Sequence, residues 1–260
     1  MNRMPIVELG NTGLRVSKLG YGTVDLALRS RPVSPQQGGR ILAEAYGLGI
    51  NFWDTSDDYG SHPHIAAALK HVPRKGVVIS TKTHVSRSTS LRKNIQNSLG
   101  ELGTDYIDIF LLHAVERGQI EDLDQTLGEL KSLKARGIIK AAGLSTHSVA
   151  VVKKAAVTKE LEVVLATCCK VEQNLIKKVQ EDIPLEDGNM EEMFEALKLA
   201  HSKGKGVIAM KVLATGNPSI VDSYQSATRA VSRLDFVDAI VIGMRDLEEV
   251  KKNIQALTSN

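Results

Sequence analysis

Cysteine is nearly missing from this 260-residue chain, and its two copies, Cys168 and Cys169, are adjacent. Neighbouring cysteines form only a strained disulfide and lack the spacing of metal ligands. They lie in an apolar run, which predicts buried thiols in a reducing compartment and no metal site. Aromatic residues make up 4% of the chain, so its 42% hydrophobic content is mostly aliphatic. No run approaches the ~18 apolar residues of a membrane span, and residues 1–13 lack an apolar stretch of signal-peptide length. Neither sign of charge is in excess: 33 basic and 30 acidic residues leave +3. No basic cluster exceeds a pair, as at Lys251-Lys252, so neither nucleic acid nor an anionic membrane is implied. These absences predict a cytoplasmic protein, a monomer or weak homo-oligomer, acting on small molecules.

What is present is a rhythm. The length suits a single domain over residues 1–260. Two short alternating stretches flank Gly10-Asn11-Thr12-Gly13, the signature of a β-hairpin. Eight short apolar runs follow, at Leu19–Gly22, Ile50–Trp53, Gly76–Thr81, Tyr106–Leu112, Ile139–Leu144, Val163–Thr167, Gly206–Met210 and Ala239–Ile242. Most do not alternate with polar residues, as expected of parallel strands buried on both faces. Longer amphipathic stretches separate them. Ser34-Pro35 opens one, Ser90 caps a second that ends on Gly103, and Ile120 to Lys134 forms a third. Asn189 caps a fourth, and Asp246 to Leu257 carries acids early and lysines late, as the helix dipole favours. Eight strand–helix repeats predict an α/β fold, a (β/α)8 TIM barrel with an N-terminal β-hairpin. A doubly wound open sheet is the alternative, but no Gly-x-Gly-x-x-Gly turn follows the first strand. The irregular stretch Ile176 to Gly188 is predicted to loop over the active face.

In such a barrel the functional side chains stand at the C-terminal ends of the strands. Asp54 follows the second strand with Tyr59 five residues on, Lys82 ends the third and His113 the fourth. Any one of these alone reads more simply as a cap or loop residue. Four after three consecutive strands make a workable acid–base set. A carbonyl that accepts hydride needs a proton donor; tyrosine is a weak acid, with an ordinary pKa of about 10. A lysine ammonium beside the phenol is expected to lower that value. Aspartate would anchor the lysine, and histidine would hydrogen-bond and orient the carbonyl oxygen.

With these residues in place, the chain resembles the aldo-keto reductases over essentially its whole length. The matching stretches are LGNTGLRVSKLGYGT near the start, NFWDTSDDYG, STKTH, DIFLLHA, IIKAAGLSTH and VIGMRDLEEVKKNI. The resemblance implies a nicotinamide cofactor, NADPH with NADH as the alternative, and reduction of aldehydes or ketones to alcohols. It implies cofactor contacts at Gly22, Thr23, Asp54, Ser145, Thr146, Lys170, Lys211, Gly243, Met244, Arg245, Glu249 and Asn253. The family's Ser-Asn pair after the fifth strand is Ser145-Thr146 here, its glutamine is Lys170, and the glutamate before Asn253 is Lys252. Arg245 is the expected partner of a ribose phosphate, and Glu249 would repel one if turned inward. The substrate pocket is expected to use His84, Ala114 and the 176–188 loop. These departures motivate a second reading, a cofactor-binding, redox-sensing barrel with little turnover. A third is an unrelated barrel acting on a phosphorylated metabolite, for which Ala214-Thr215-Gly216 and Gly243 offer only partial phosphate loops.

Overall fold

The computed structural model describes residues 4–28, 32–85, 90–169, 185–212 and 224–258. The chain opens with an antiparallel hairpin, β1 (Ile6–Glu8) and β2 (Arg15–Ser17), paired with Val7 opposite Val16. Gly10 and Gly13 take positive φ in its turn, a conformation glycine adopts without steric cost.

Eight parallel strands then close into a barrel: β3 (Leu19–Gly22), β4 (Phe52–Asp54), β5 (Val78–His84), β6 (Ile107–His113), β7 (Ile139–Thr146), β8 (Val163–Thr167), β9 (Gly206–Met210) and β10 (Ala239–Gly243). Closure comes from β10 pairing with β3, Ile240 opposite Leu19 and Gly243 opposite Gly22. All eight predicted strands form. β5 and β7 run two to three residues further than the sequence suggested, because Thr83 and His84 still pair with Leu112 and His113.

Side chains alternate between two packed layers. Phe52, Ile109, Leu111, Val163, Leu165 and Ile208 fill the barrel interior, joined from below by Leu9 and Val16 of the hairpin. Trp53, Ile79, Phe110, Leu112, Val164 and Val207 face outward into the helical layer. The hairpin thus plugs the barrel floor. Gly206 is needed there, since a Cβ on it would meet the Leu9 side chain at 2.6 Å.

Nine helices lie among the described residues: α1 (Val24–Ala27), α2 (Pro35–Gly47), α3 (His62–Ala68), α4 (Leu91–Leu102), α5 (Asp124–Ala135), α6 (Val149–Val157), α7 (Met190–Ser202), α8 (Tyr224–Ser232) and α9 (Leu247–Thr258). The Ser34 capping box with Gln37, the left-handed Gly103 after α4 and the Asn189 cap all form as predicted. Ser90 begins α4 but its side chain makes no cap bond. The predicted 120–134 helix divides into a 3-10 turn, Ile120–Asp122, and α5, with the buried Leu123 at the junction. No helix of the described residues is long and apolar enough to cross a membrane. Both cysteines are buried.

Candidate active site

Residues at the C-terminal strand ends and in the loops that follow line a cavity of about 420 Å³, among them Asp54, Tyr59, Lys82, His113, Ser145 and His147. The four residues proposed for acid–base work therefore meet in one place. Strand alternation sets this up. Asp54 follows outward-facing Trp53, and Lys82 pairs with inward-facing Leu111.

Lys82 is 1% exposed. Its ammonium donates to Asp54 Oδ2 at 2.7 Å and to the Thr55 carbonyl at 2.5 Å. It stands 4.9 Å from the centre of the Tyr59 ring. A buried ammonium is tolerable only with such partners. Asp54 Oδ1 is buried with no partner among the described residues.

Tyr59 is on no strand; the loop after β4 must hold it. That loop is sewn to β5 by Thr55 N–H to Ser80 O and Asp57 N–H to Lys82 O. Ser61 ties it further through the hydroxyls of Thr23 and Thr55. Burial, and then the Asp54 and Asp58 carboxylates, push the Tyr59 phenol above its ordinary pKa. This is opposite to the lowering expected from Lys82. The ammonium's charge is largely met by Asp54, so burial wins.

His113 closes the set. Its ring packs edge-on to Tyr59, centroids 5.7 Å apart, and Nδ1 lies 3.0 Å from Ser56 Oγ. Burial, reinforced by the Lys82 charge, lowers its pKa to about 4. The imidazole is neutral at pH 7, which leaves Nε2 as the nitrogen able to face a ligand. Ala114, next in the chain, has φ 48. It is held by its N–H to Ser145 Oγ, 2.9 Å. Lys211 at the end of β9 also has positive φ, 57. Two strained non-glycine residues at one rim mark a site whose geometry the fold enforces.

The predicted cofactor contacts divide. Gly22, Asp54, Ser145, Lys211 and Gly243 line the cavity. Thr23, Thr146, Met244 and Asn253 are buried and engaged elsewhere. Thr23 bonds Asp54 O and Ser61, and Thr146 donates to Val115 O at 2.7 Å. The Met244 carbonyl accepts from Tyr21, and the Asn253 amide donates to Glu249 O. Thr146 faces outward by the alternation of β7, and it braces the turn into α6 by accepting from Ser148 N–H. Lys170 lies outside the described residues, as do 213–223 and most of the 176–188 loop. Of that loop, Glu186 reaches the rim, its N–H bonded to His147 O at 3.1 Å.

At the start of α9 Glu249 is exposed and folds back along its own helix turn. Its Oε2 accepts from the Arg245 N–H at 2.7 Å, while its own N–H is capped by Asp246.

His147 and Asp25 also line the cavity, and neither was anticipated. His147 bonds Thr167 Oγ1 at 2.6 Å. Burial and Lys211 hold its pKa below the ordinary value. The signal for it was present in the sequence, because residue 147 is two beyond Ser145 and shares its face.

A buried lysine–aspartate pair, a phenol and a neutral imidazole on the C-terminal rim of a parallel barrel define an α/β-barrel enzyme equipped for proton transfer. The chain matches the Aldo/keto reductase family over residues 18–229 and belongs to it, which makes it an oxidoreductase. It is 27% identical to L-galactose dehydrogenase of Arabidopsis thaliana, over 99% of this chain and 89% of that protein. A Pseudomonas aeruginosa crystal structure described as an aldo-keto reductase superposes with TM-score 0.78 at 26% identity, covering 97% of this chain and 94% of that one. The holo form of an aldo-keto reductase from Bacillus halodurans shares the fold, with TM-score 0.73 at 21% identity over 99% and 92% of the two chains.

Proposed function

We propose that the protein reduces aldehydes or ketones to alcohols with a reduced nicotinamide cofactor, using Tyr59 as the proton donor. The observation that carries this reading is the Lys82 ammonium, paired with Asp54 at 2.7 Å and poised 4.9 Å from the Tyr59 ring in one cavity. The orphaned Asp54 Oδ1 and the Gly22 and Gly243 backbone at the rim suit a ligand that brings amide or hydroxyl donors. Ser145, Lys211 and Asp54 would hold that cofactor, which supplies hydride to the carbonyl carbon. The chain supplies the rest. Neutral His113 hydrogen-bonds the carbonyl oxygen and fixes its direction. Tyr59 gives its proton to the oxygen as negative charge develops there. An alkoxide is a far stronger base than a phenolate, so a phenol of raised pKa still protonates it. Lys82 then lies beside the tyrosinate and steadies it.

At the adenosine end, Glu249 on the Arg245 amide weakens the sequence-based expectation of NADPH. NADH is bound at least as tightly, because a 2′-phosphate must displace or repel that carboxylate. Glu249→Gln is expected to tighten NADPH by up to about fivefold with little change for NADH, roughly the 0.3–1 kcal/mol of one exposed charge–helix interaction. Equal effects on both cofactors would reject its role.

The function is tested by titrating both reduced cofactors and following their oxidation with a carbonyl panel. Because one relative is named for L-galactose, the panel includes sugars beside simple aldehydes. Turnover supports the reductase; tight binding without turnover across the panel supports the redox-sensing alternative. Binding of neither cofactor overturns both.

A further inference from the structure

The loop that carries Tyr59 is held from behind at both ends, and the two holds share one construction. Before Tyr59, the Asp57 carboxylate accepts from the Thr83 hydroxyl, and the Asn94 amide donates to that same hydroxyl at 2.9 Å. After it, His62 Nε2 lies 2.8 Å from Thr81 Oγ1, and its Nδ1 lies 2.7 Å from Glu101 Oε2. Each chain of bonds runs from the loop, through a threonine of β5, to α4. Thr81, Thr83 and His62 are all buried. The periodicities of strand and helix make this possible. Thr81 and Thr83 are alternate residues of β5 and share its outward face, with Lys82 turned the other way between them. Asn94 and Glu101 lie two turns apart on α4 and share one side of it.

The outward face of β5 otherwise packs apolar side chains, Ile79 among them. Hydroxyls buried there must be paired, and both spend that pairing on the Tyr59 loop. We propose that Thr81 and Thr83 are positioning residues for Tyr59, fixing the reach of its hydroxyl by clamping the loop on either side, with Glu101 and Asn94 of α4 as their backing. Tyr59 has no strand of its own to hold it, and only residues 58–61 separate the clamped Asp57 from the clamped His62. Asp58, beside Tyr59, adds an exposed tie, its Oδ2 3.3 Å from His84 Nε2. Such restraint matters for proton transfer. Donor and acceptor must come within about 2.6–3.2 Å, and a misplacement of about 1 Å can cost about a hundredfold in rate. The Lys82 ammonium meets the Tyr59 ring from the cavity side, so consecutive residues of β5 hold the tyrosine from front and back. The clamps also tie its place to α4, none of whose residues lines the cavity.

The inference rests on the reading of Tyr59 as the proton donor. Its test compares Thr81→Val and Thr83→Val, which keep the shape and lose the hydroxyl, with Thr81→Ser and Thr83→Ser, which keep the hydroxyl. All are assayed below their melting temperatures at saturating carbonyl, with cofactor affinity measured separately. Each valine variant should lower kcat about ten- to a hundredfold while cofactor affinity stays nearly unchanged. The serine variants should recover most of that kcat. Fluorine NMR of protein carrying 3-fluorotyrosine gives a readout free of turnover. The Tyr59 resonance is the one missing from Tyr59→Phe, and the valine variants should shift or broaden it where the serine variants do not. Unchanged kcat and an unchanged Tyr59 resonance in both valine variants would overturn the clamps. So would a loss of kcat that the serine variants share or that follows cofactor affinity. If the wild-type protein turns over no carbonyl, the reductase reading fails by itself, and the Tyr59 resonance still decides the positioning.

Discussion

At the residue scale, the Asp54–Lys82 pair is the keystone of the site. Both side chains are buried. Lys82→Met would leave the Asp54 carboxylate buried with neither oxygen paired. Removing one partner of a buried pair costs about 3–5 kcal/mol, so thermal unfolding should show a large loss of stability beside the loss of activity. A variant of unchanged melting temperature would mean that the pair is more solvated than it is here. Asp54→Asn should cost less, since an amide can still accept from Lys82 through its oxygen.

At the scale of elements, the barrel is set by strands whose ends are tied by polar caps. Asp187 shows how. It accepts from Ser148 Oγ at 2.9 Å and from Val149 N–H at 2.6 Å, so it caps α6 from a distant part of the chain. Asp187→Ala should lower stability by about 1–2 kcal/mol, measured by denaturant unfolding, because α6 keeps only Ser148 as a cap. The strands were legible in the sequence because both-face burial demands continuous Val, Ile, Leu and Ala. Asp54, Lys82 and His113 stood out because polar residues interrupt those runs at their ends, and Tyr59 by its place in the loop five residues on. Four helices escaped: α1, α3, α6 and α8. α6 reads VAVVKKAAV, whose β-branched residues suggest strand, and α3 is short and begins His62-Pro63. The bonds of Thr146 to Val115 and Ser148 were not legible, because a motif position does not reveal which face a side chain takes. His84 was placed in the pocket, but its meeting with Asp58 depends on β5 running to residue 84, past the end that apolar content marks.

At the scale of the molecule, burying histidines in the cavity links stability to pH. His113 falls from 6.5 to about 4 and His147 is also lowered, both mainly by burial. Below pH 6.5 the unfolded chain therefore binds more protons than the folded one. Stability from these groups is present above 6.5 and is lost as pH falls toward 4. The melting temperature should drop over that window, and His113→Gln should flatten the drop. A melting temperature independent of pH there would contradict the buried, neutral imidazole. The same neutral His113 should keep reductase activity level down to about pH 5, above its folded value.

The central claim is that Tyr59 supplies the proton, and Tyr59→Phe tests it most directly. The substitution keeps the ring against His113 and Lys82 and removes only the hydroxyl. Turnover should be measured by loss of reduced nicotinamide at saturating carbonyl, with cofactor affinity determined separately. The account predicts kcat lower by about 10²–10⁴-fold, the usual worth of general acid catalysis, with cofactor binding nearly unchanged. Full turnover by the phenylalanine variant would contradict it.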